Sequence, residues 1–156
     1  MDIHADYLSL LGDLTKQLDR LTALAQQKVE VVRRSDLIAL DEVLRQEQAI
    51  SLALRGLEQR RLDMLKRLGM TDVPLEQLAQ RYPAALQPQA TQTVTGLRRS
   101  YGHYRTASEL ARTTLEVHLH QVEQVVSAYN GSPAHGAGYT PPDAELPKNM
   151  KTDFRA

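Results

Sequence analysis

The amino-acid sequence predicts an all-α protein: an elongated antiparallel helical bundle of three long helices plus one short helix, with coiled-coil-like packing and an irregular C-terminal tail. Apolar residues recur at steps of three and four along most of the first 130 residues, which is the spacing of one helix face. The composition is rich in Leu, Gln, Arg and Glu, with no Trp and one Phe, and is typical of long helices. A chain of 156 residues fits one folded domain.

The longest periodic stretch runs from residue 91 to residue 130 and predicts the last helix. Its apolar face keeps a heptad spacing throughout, and we call these positions the main seam: Val94, Leu97, Tyr101, Tyr104, Ser108, Ala111, Leu115, His118, Val122, Val125 and Tyr129. Leu110, Leu119 and Val126 widen this face, as expected in a bundle. At about 1.5 Å per residue this helix is roughly 60 Å long, so its partners must also be long helices.

The first two helices are predicted over residues 2–34 and 37–68, with a tight turn between them. Ser35 or Asp36 can cap the second helix, because their side-chain oxygens accept hydrogen bonds from free backbone N–H groups. Gly69 is expected to end that helix in the left-handed conformation. The two helices should therefore form a long antiparallel αα-hairpin.

Five residues depart from the simple helical pattern. Lys28 lies on the apolar stripe of the first helix, and we expect its ammonium to reach water along its own methylenes. Glu47 and Arg61 occupy positions of the second helix where apolar residues are expected. Gly96 and Gly102 lie near the start of the last helix, where we expect fraying or a close approach to a neighbouring backbone.

All seven prolines lie outside the predicted long helices. Residues 71–74 predict the capped start of a short helix that Pro83 stops, and a linker follows to Pro88. Periodicity ends after residue 130, so residues 1–130 are predicted to form the bundle and residues 131–156 a Pro-rich tail. The tail holds apolar residues spaced like anchors of a docking segment: Tyr139, Leu146, Met150 and Phe154.

Composition and charge argue against several classes of function. The chain has 19 basic and 19 acidic side chains and no net charge, so no overall field favours nucleic acid or anionic lipid. It has no Cys, which excludes disulfides and thiolate chemistry and agrees with a cytoplasmic location. The N-terminal residues show neither a signal peptide nor a membrane span, so we expect no membrane insertion.

No catalytic, metal-binding or cofactor site is predicted. His120 and Glu123 form one i,i+3 pair, whereas a carboxylate-bridged di-metal bundle needs two Glu-x-x-His pairs. The chain lacks a Gly-rich phosphate loop, a nucleophile elbow and a His-Glu-x-x-His motif. We therefore expect a protein that is not an enzyme and needs no cofactor.

A basic cluster in the last helix raises nucleic-acid binding as an alternative. Arg98, Arg99 and Arg105 lie near Tyr101 and Tyr104, and arginine with aromatic residues can hold a single strand. Both tyrosines are on the main seam, however, and are better interpreted as core residues. Nucleic acid is therefore not predicted as a partner.

Protein binding is the class of function that remains, and a physical argument supports it. A bundle of unequal helices cannot cover all of its long apolar faces with its own side chains, so part of a face should stay open. Dimerisation, the tail or a foreign helix could each cover it, and the residues alone leave these three alternatives open.

The stretch VVRRSDLIALDEVLRQEQAISLALRGLEQRRLDMLKRLGM, residues 31–70, resembles the FlgN family of flagellar export chaperones. The similarity includes a short break with an acidic residue, a helix rich in Glu and Gln, and a Leu-Gly end before a short third helix. It continues in the long last helix that ends at Tyr129, Asn130 and Gly131, and in a tail that closes on an Asp and a basic residue.

The resemblance implies a cytoplasmic chaperone of flagellar type III secretion. Such a protein binds the C-terminal helices of hook-filament junction proteins, prevents their premature assembly and delivers them to the export gate. We expect the client helix to lie along the last helix, with these candidate contacts: Leu110, Leu115, Leu119, Val122, Val125, Val126 and Tyr129. Tyr129 is also a candidate contact to the export-gate cytoplasmic domain.

Two other functions remain alternatives to this one. One is a structural coiled-coil protein whose seams serve self-association, and the other is a secretion chaperone with a different client. The sequence is compatible with a monomer or a homodimer.

Overall fold

The computed structural model describes residues 2–130, and every regular element within them is helical. The long helices are α1 (Ile3–Arg33), α2 (Leu37–Leu68) and α4 (Gln87–Asn130). Between α2 and α4 lie the short helix α3 (Leu75–Leu78) and two 3-10 turns, Ala79–Arg81 and Ala84–Leu86. The predicted fold class is therefore confirmed. The predicted tail and its apolar anchors, residues 131–156, lie outside the described residues.

Local hydrogen bonds explain where the first two helices begin and end. The Asp36 carboxylate caps α2 by accepting a hydrogen bond from the Ala39 N–H at 3.1 Å. Ser35 takes a positive φ of 54° in the turn before it. Gly69 ends α2 with φ 67°, as predicted, because a residue without Cβ adopts the left-handed conformation at little cost.

Two predictions about the middle of the chain need correction. The short helix α3 follows Pro74 and has no side-chain hydrogen bond at its N-terminus, so its predicted capped start is wrong. The last helix begins at Gln87, earlier than residue 91, and includes Pro88 in its first turn. A proline fits there because the first-turn N–H groups have no partner within the helix.

α1 lies against both other long helices. It is antiparallel to α2, because Lys28 near its end pairs with Glu47 early in α2, whereas Leu10 shares a groove with Met64 near the end of α2. It runs in the same direction as α4. The Tyr82 hydroxyl, just before α4, donates a hydrogen bond of 3.0 Å to the His4 carbonyl oxygen at the start of α1.

The core follows α1 along most of its length. Its largest fully buried apolar side chains come from all three long helices and from α3: Tyr7, Leu11, Leu14, Leu18, Leu21, Leu54, Leu78, Leu97 and Tyr104. α4 is continuous through Gly96 and Gly102, and no atom lies within 4 Å of a Cβ built on either. The predicted fraying or close approach at these glycines is therefore wrong.

The prediction for Lys28 is also wrong, because its side chain is only 2% exposed. Its Nζ lies 2.7 Å from Oε2 of Glu47, which is equally buried. A second buried pair lies further along α2, where the Arg61 guanidinium donates two hydrogen bonds, of 2.8 and 2.9 Å, to the Glu58 carboxylate. The charged residues that interrupt the apolar face of α2 are thus inside the bundle and paired.

Candidate partner-binding surface

The main seam is buried along the first part of α4 and exposed along the last part. Its side chains are buried at every position from Val94 to Leu115, and His118 is half-buried. Beyond His118 they are exposed. The change coincides with the end of α1, because Val32 and Arg33 line a groove with residues 113, 114, 117, 118 and 121 of α4. Residues 119–130, about 18 Å of helix, therefore lie at or beyond the end of α1.

Five apolar side chains share one face of this extension, and we call them the distal stripe: Leu119, Val122, Val125, Val126 and Tyr129. All five are exposed, Tyr129 most of all, with 90% of its surface accessible. With 3.6 residues per turn, each lies within about 60° of Val122 around the helix axis. The distal stripe is thus a continuous apolar face that prolongs the buried seam into solvent.

The two other predicted contact residues lie elsewhere. Leu115 is only 8% exposed and belongs to the covered part of the main seam. Leu110 is exposed but lies about 120° around the helix axis from Val122, so it cannot contact the same straight partner helix. The helical angle of Leu110 could have been read from the sequence, whereas the burial of Leu115 depends on how far α1 reaches.

The structure also exposes apolar residues that the sequence did not single out. Leu37 and Ile38, in the first turn of α2, are largely exposed. They follow the turn after α1 and so lie at the same end of the bundle as the distal stripe. Val117 is exposed beside Val32 in the groove between α1 and α4. In the sequence, only the position of Leu37 and Ile38 beside a turn could have indicated that these side chains are exposed.

Charged residues lie along one edge of the distal stripe. Glu109, Glu116 and Glu123 recur at seven-residue intervals and lie roughly 100–140° around the helix axis from Val122. Glu109 is within 3.4 Å of the Arg105 guanidinium, and Glu123 is half-buried. The stripe itself contains no ionisable side chain except the Tyr129 phenol. A partner helix with an apolar face and a basic edge fits this surface.

The described residues offer little to other kinds of ligand. Residues 2–130 contain no group of three or more His, Asp or Glu residues that could hold a metal ion. Tyr101 and Tyr104 are buried, so they cannot stack on nucleic-acid bases, and Arg98 lies 3.9 Å from Glu76. None of the described helices is long and apolar enough to cross a membrane.

Comparison with families of known proteins identifies a match to most of the chain. The family model described as FlgN protein matches residues 1–146. No curated protein and no solved structure matches the chain.

Proposed function

Because this chain belongs to the FlgN family, whose members are flagellar export chaperones for hook-associated proteins, we propose that its distal stripe receives the client. The client segments are the C-terminal helices of hook-filament junction proteins, which the chaperone keeps from assembling in the cytoplasm and delivers to the export gate. The family is one of chaperones and not of enzymes, in agreement with the prediction from sequence.

The observation that carries this proposal is that a heptad seam continues past the helix that covers it. The distal stripe has the spacing of a helix–helix contact, and its five side chains face solvent beyond the end of α1. A client helix of about three turns, in line with α1, would cover these side chains along the roughly 18 Å extension. An amphipathic helix in an apolar groove is a common mode of peptide recognition.

Tyr129 has a second proposed role as a contact to the export gate. It is the most exposed residue of the distal stripe and lies one residue before the end of α4. A client helix that covers the stripe only as far as Val126 leaves the phenol ring accessible. A tyrosine with a free ring and hydroxyl is a favourable anchor for a protein interface.

The same surface also suits self-association, which is the alternative function. Apolar residues occupy successive seam positions at Val122 and Val125, and an exposed heptad face of this kind can pack against the same face of another copy. In that case a second copy of this chain would cover the distal stripe, and the protein would be a stable dimer without affinity for a client.

Calorimetric titration of the full chain separates these possibilities. The probes are peptides from the C-terminal helices of the junction proteins of the same organism, and the control is a peptide from the C-terminus of the filament protein. The test variant is Val122→Asp, and the matched control variant is Gln124→Asp, which adds the same charge two residues away on the opposite face of α4. Circular dichroism establishes that both variants fold.

We expect saturable binding of the junction peptides that Val122→Asp weakens by about 100-fold or more, because an unpaired charge in an apolar contact costs about 3 kcal/mol or more. Gln124→Asp should bind like the parent chain. Equal binding of the filament peptide would indicate a different client. The proposal would be refuted by no binding of any peptide together with a dimer in sedimentation.

A further inference from the structure

We propose that the pocket between the last turn of α1 and α4 is an anchor site for one large apolar side chain of the client helix. We call it the anchor pocket; Val32 and Arg33 line it from α1, and five residues between 113 and 121 line it from α4. This inference rests on the proposed function, because it names a feature that the client helix must carry in addition to an apolar face.

The anchor pocket lies beside the distal stripe, on the edge opposite Glu123. Thr114, Val117 and Gln121 lie roughly 80–140° around the helix axis from Val122, in the direction opposite to Glu123. A client helix in line with α1 would have its near end against the last turn of α1. A side chain at that end, on the edge that faces away from Glu123, would therefore enter the pocket.

The lining of the anchor pocket is mainly apolar. Val32 contributes to the α1 wall and Val117 to the α4 wall. Thr113 and Thr114 also line the pocket, but each hydroxyl donates a hydrogen bond to the backbone carbonyl oxygen four residues earlier, at 3.0 and 2.8 Å. Because these donors are used within α4, a ligand of the pocket gains mainly from the burial of apolar surface.

The size of the anchor pocket suits a large side chain. Its volume is about 440 Å³. Pockets that enclose small molecules measure roughly 300–1,000 Å³, so this one has room for a side chain such as Leu, Met or Phe. Val117 is 53% exposed, so apolar surface is available for a partner to cover. A few side chains seated in such pockets carry most of the binding energy of an interface.

Charge further specifies the client residue. Among the described residues that line the pocket, Arg33 carries the only permanent charge. Its guanidinium lies 3.6 Å from the Glu30 carboxylate, and both side chains are more than half exposed, so this ion pair is weak. A carboxylate next to the anchor side chain would form charge-assisted hydrogen bonds with Arg33. The expected client therefore has a large apolar residue with an acidic neighbour at this end.

Disulfide capture tests the pocket without any client. The chain has no cysteine, so one introduced cysteine is its only thiol. The test chain is Val117→Cys. The matched control is Leu110→Cys, because Leu110 is also 53% exposed and lies on nearly the same face of α4, about 10 Å away and outside the pocket.

Each chain is equilibrated with equal amounts of phenethyl disulfide and hydroxyethyl disulfide. The protein thiolate attacks one sulfur of the reagent, forms a mixed disulfide and releases the other half as a free thiol, so no oxidant is needed. Mass spectrometry measures the ratio of the two adducts. We expect the phenethyl adduct to exceed the hydroxyethyl adduct by about tenfold or more at Val117→Cys, and the two to be nearly equal at Leu110→Cys.

A second pair of reagents tests the role of Arg33. These are the disulfides of the dipeptide acetyl-Cys-Phe, one with a free carboxylate and one with an amide in its place. Val117→Cys should favour the carboxylate form, and Arg33→Glu in the same chain should remove this preference. Equal ratios of phenethyl to hydroxyethyl adducts at positions 117 and 110 would overturn the proposal.

Titration with the junction peptides connects the pocket to the client. Val117→Asp should weaken their binding by about tenfold or more, whereas Leu110→Asp should leave it within about twofold of the parent chain. Equal binding by both variants would overturn the proposal, and so would a dimer that Val117→Asp separates into monomers, because a second copy would then occupy the pocket. If no junction peptide binds, the proposed function fails, whereas disulfide capture still decides whether the pocket is an apolar anchor site.

Discussion

The two parts of the main seam share one sequence pattern and differ in what covers them. From Val94 to Leu115 the seam lies against the bundle and its side chains are buried. From Val122 to Tyr129 the same spacing continues, but α1 has ended and the side chains face solvent. Heptad spacing therefore identifies the apolar face of a helix, and the length of the neighbouring helix decides which part of that face is core.

The largest effect on stability is expected at the buried ion pair between Lys28 of α1 and Glu47 of α2. Lys28→Met should destabilise the fold by about 3–5 kcal/mol, because it leaves the buried Glu47 carboxylate without its partner. The double variant Lys28→Met/Glu47→Leu should recover most of this loss, since it leaves no unpaired charge at this buried site. Urea denaturation of the two variants and the parent chain measures both values. A double variant as unstable as the single one would contradict this account.

Alanine substitutions compare the two parts of the seam directly. Leu97→Ala should cost about 2–5 kcal/mol, because Leu97 is fully buried and its removal leaves a cavity. Val122→Ala should change the free energy of unfolding by no more than about 0.5 kcal/mol, because 48% of its surface is already exposed. Urea denaturation measures both. A large cost at Val122 would mean that the distal stripe is covered in the free protein.

The pH dependence of the Lys28→Met variant tests the cause of its instability. Burial raises the pKa of the Glu47 carboxyl above its usual range, and the charge of Lys28 opposes this shift. A raised pKa means that the stabilising contribution of this group is fully present below the unfolded pKa of about 4.3 and is lost as the pH rises through the folded value.

Without Lys28 the opposing influence disappears, so the stability deficit of Lys28→Met should grow between pH 5 and pH 7, by at most about 1.4 kcal/mol per pH unit. The double variant Lys28→Met/Glu47→Leu is the control and should lack this additional dependence. Urea denaturation at several pH values provides the measurement. A deficit that is constant with pH would show that the lost packing of Lys28, and not the charge of Glu47, causes the instability.

The smallest effect is expected at an exposed ion pair on the same helix as Glu47. Arg45 and Asp41 of α2 lie 3.0 Å apart, and both are largely exposed. Asp41→Ala should change the stability by about 0.5 kcal/mol or less, because such pairs are screened and lose side-chain entropy when they form. The loss should shrink further at high salt. A loss comparable to that of Lys28→Met would contradict the contrast between covered and exposed charges.

Local chemistry allowed the ends of the helices to be predicted closely. α2 was predicted over residues 37–68 and has these bounds, because Asp36 and Gly69 carry their own capping and terminating signals. The start of α4 was placed too late, because Leu86, which precedes the helix, has no polar side chain that could cap it, and Pro88 was interpreted as part of a linker. Where the signal is weak, tertiary contacts decide the helix boundary.

The sequence by itself determined the helices, their apolar faces and the antiparallel hairpin, because these depend on residue spacing and on neighbours within a few positions. Only the tertiary structure decided which charges are paired and which apolar residues are core. Lys28 and Glu47 come within 2.7 Å, and Leu115 and Val122 differ in burial, because of the relative lengths and register of separate helices. Spacing within one helix carries no information about where its neighbour ends.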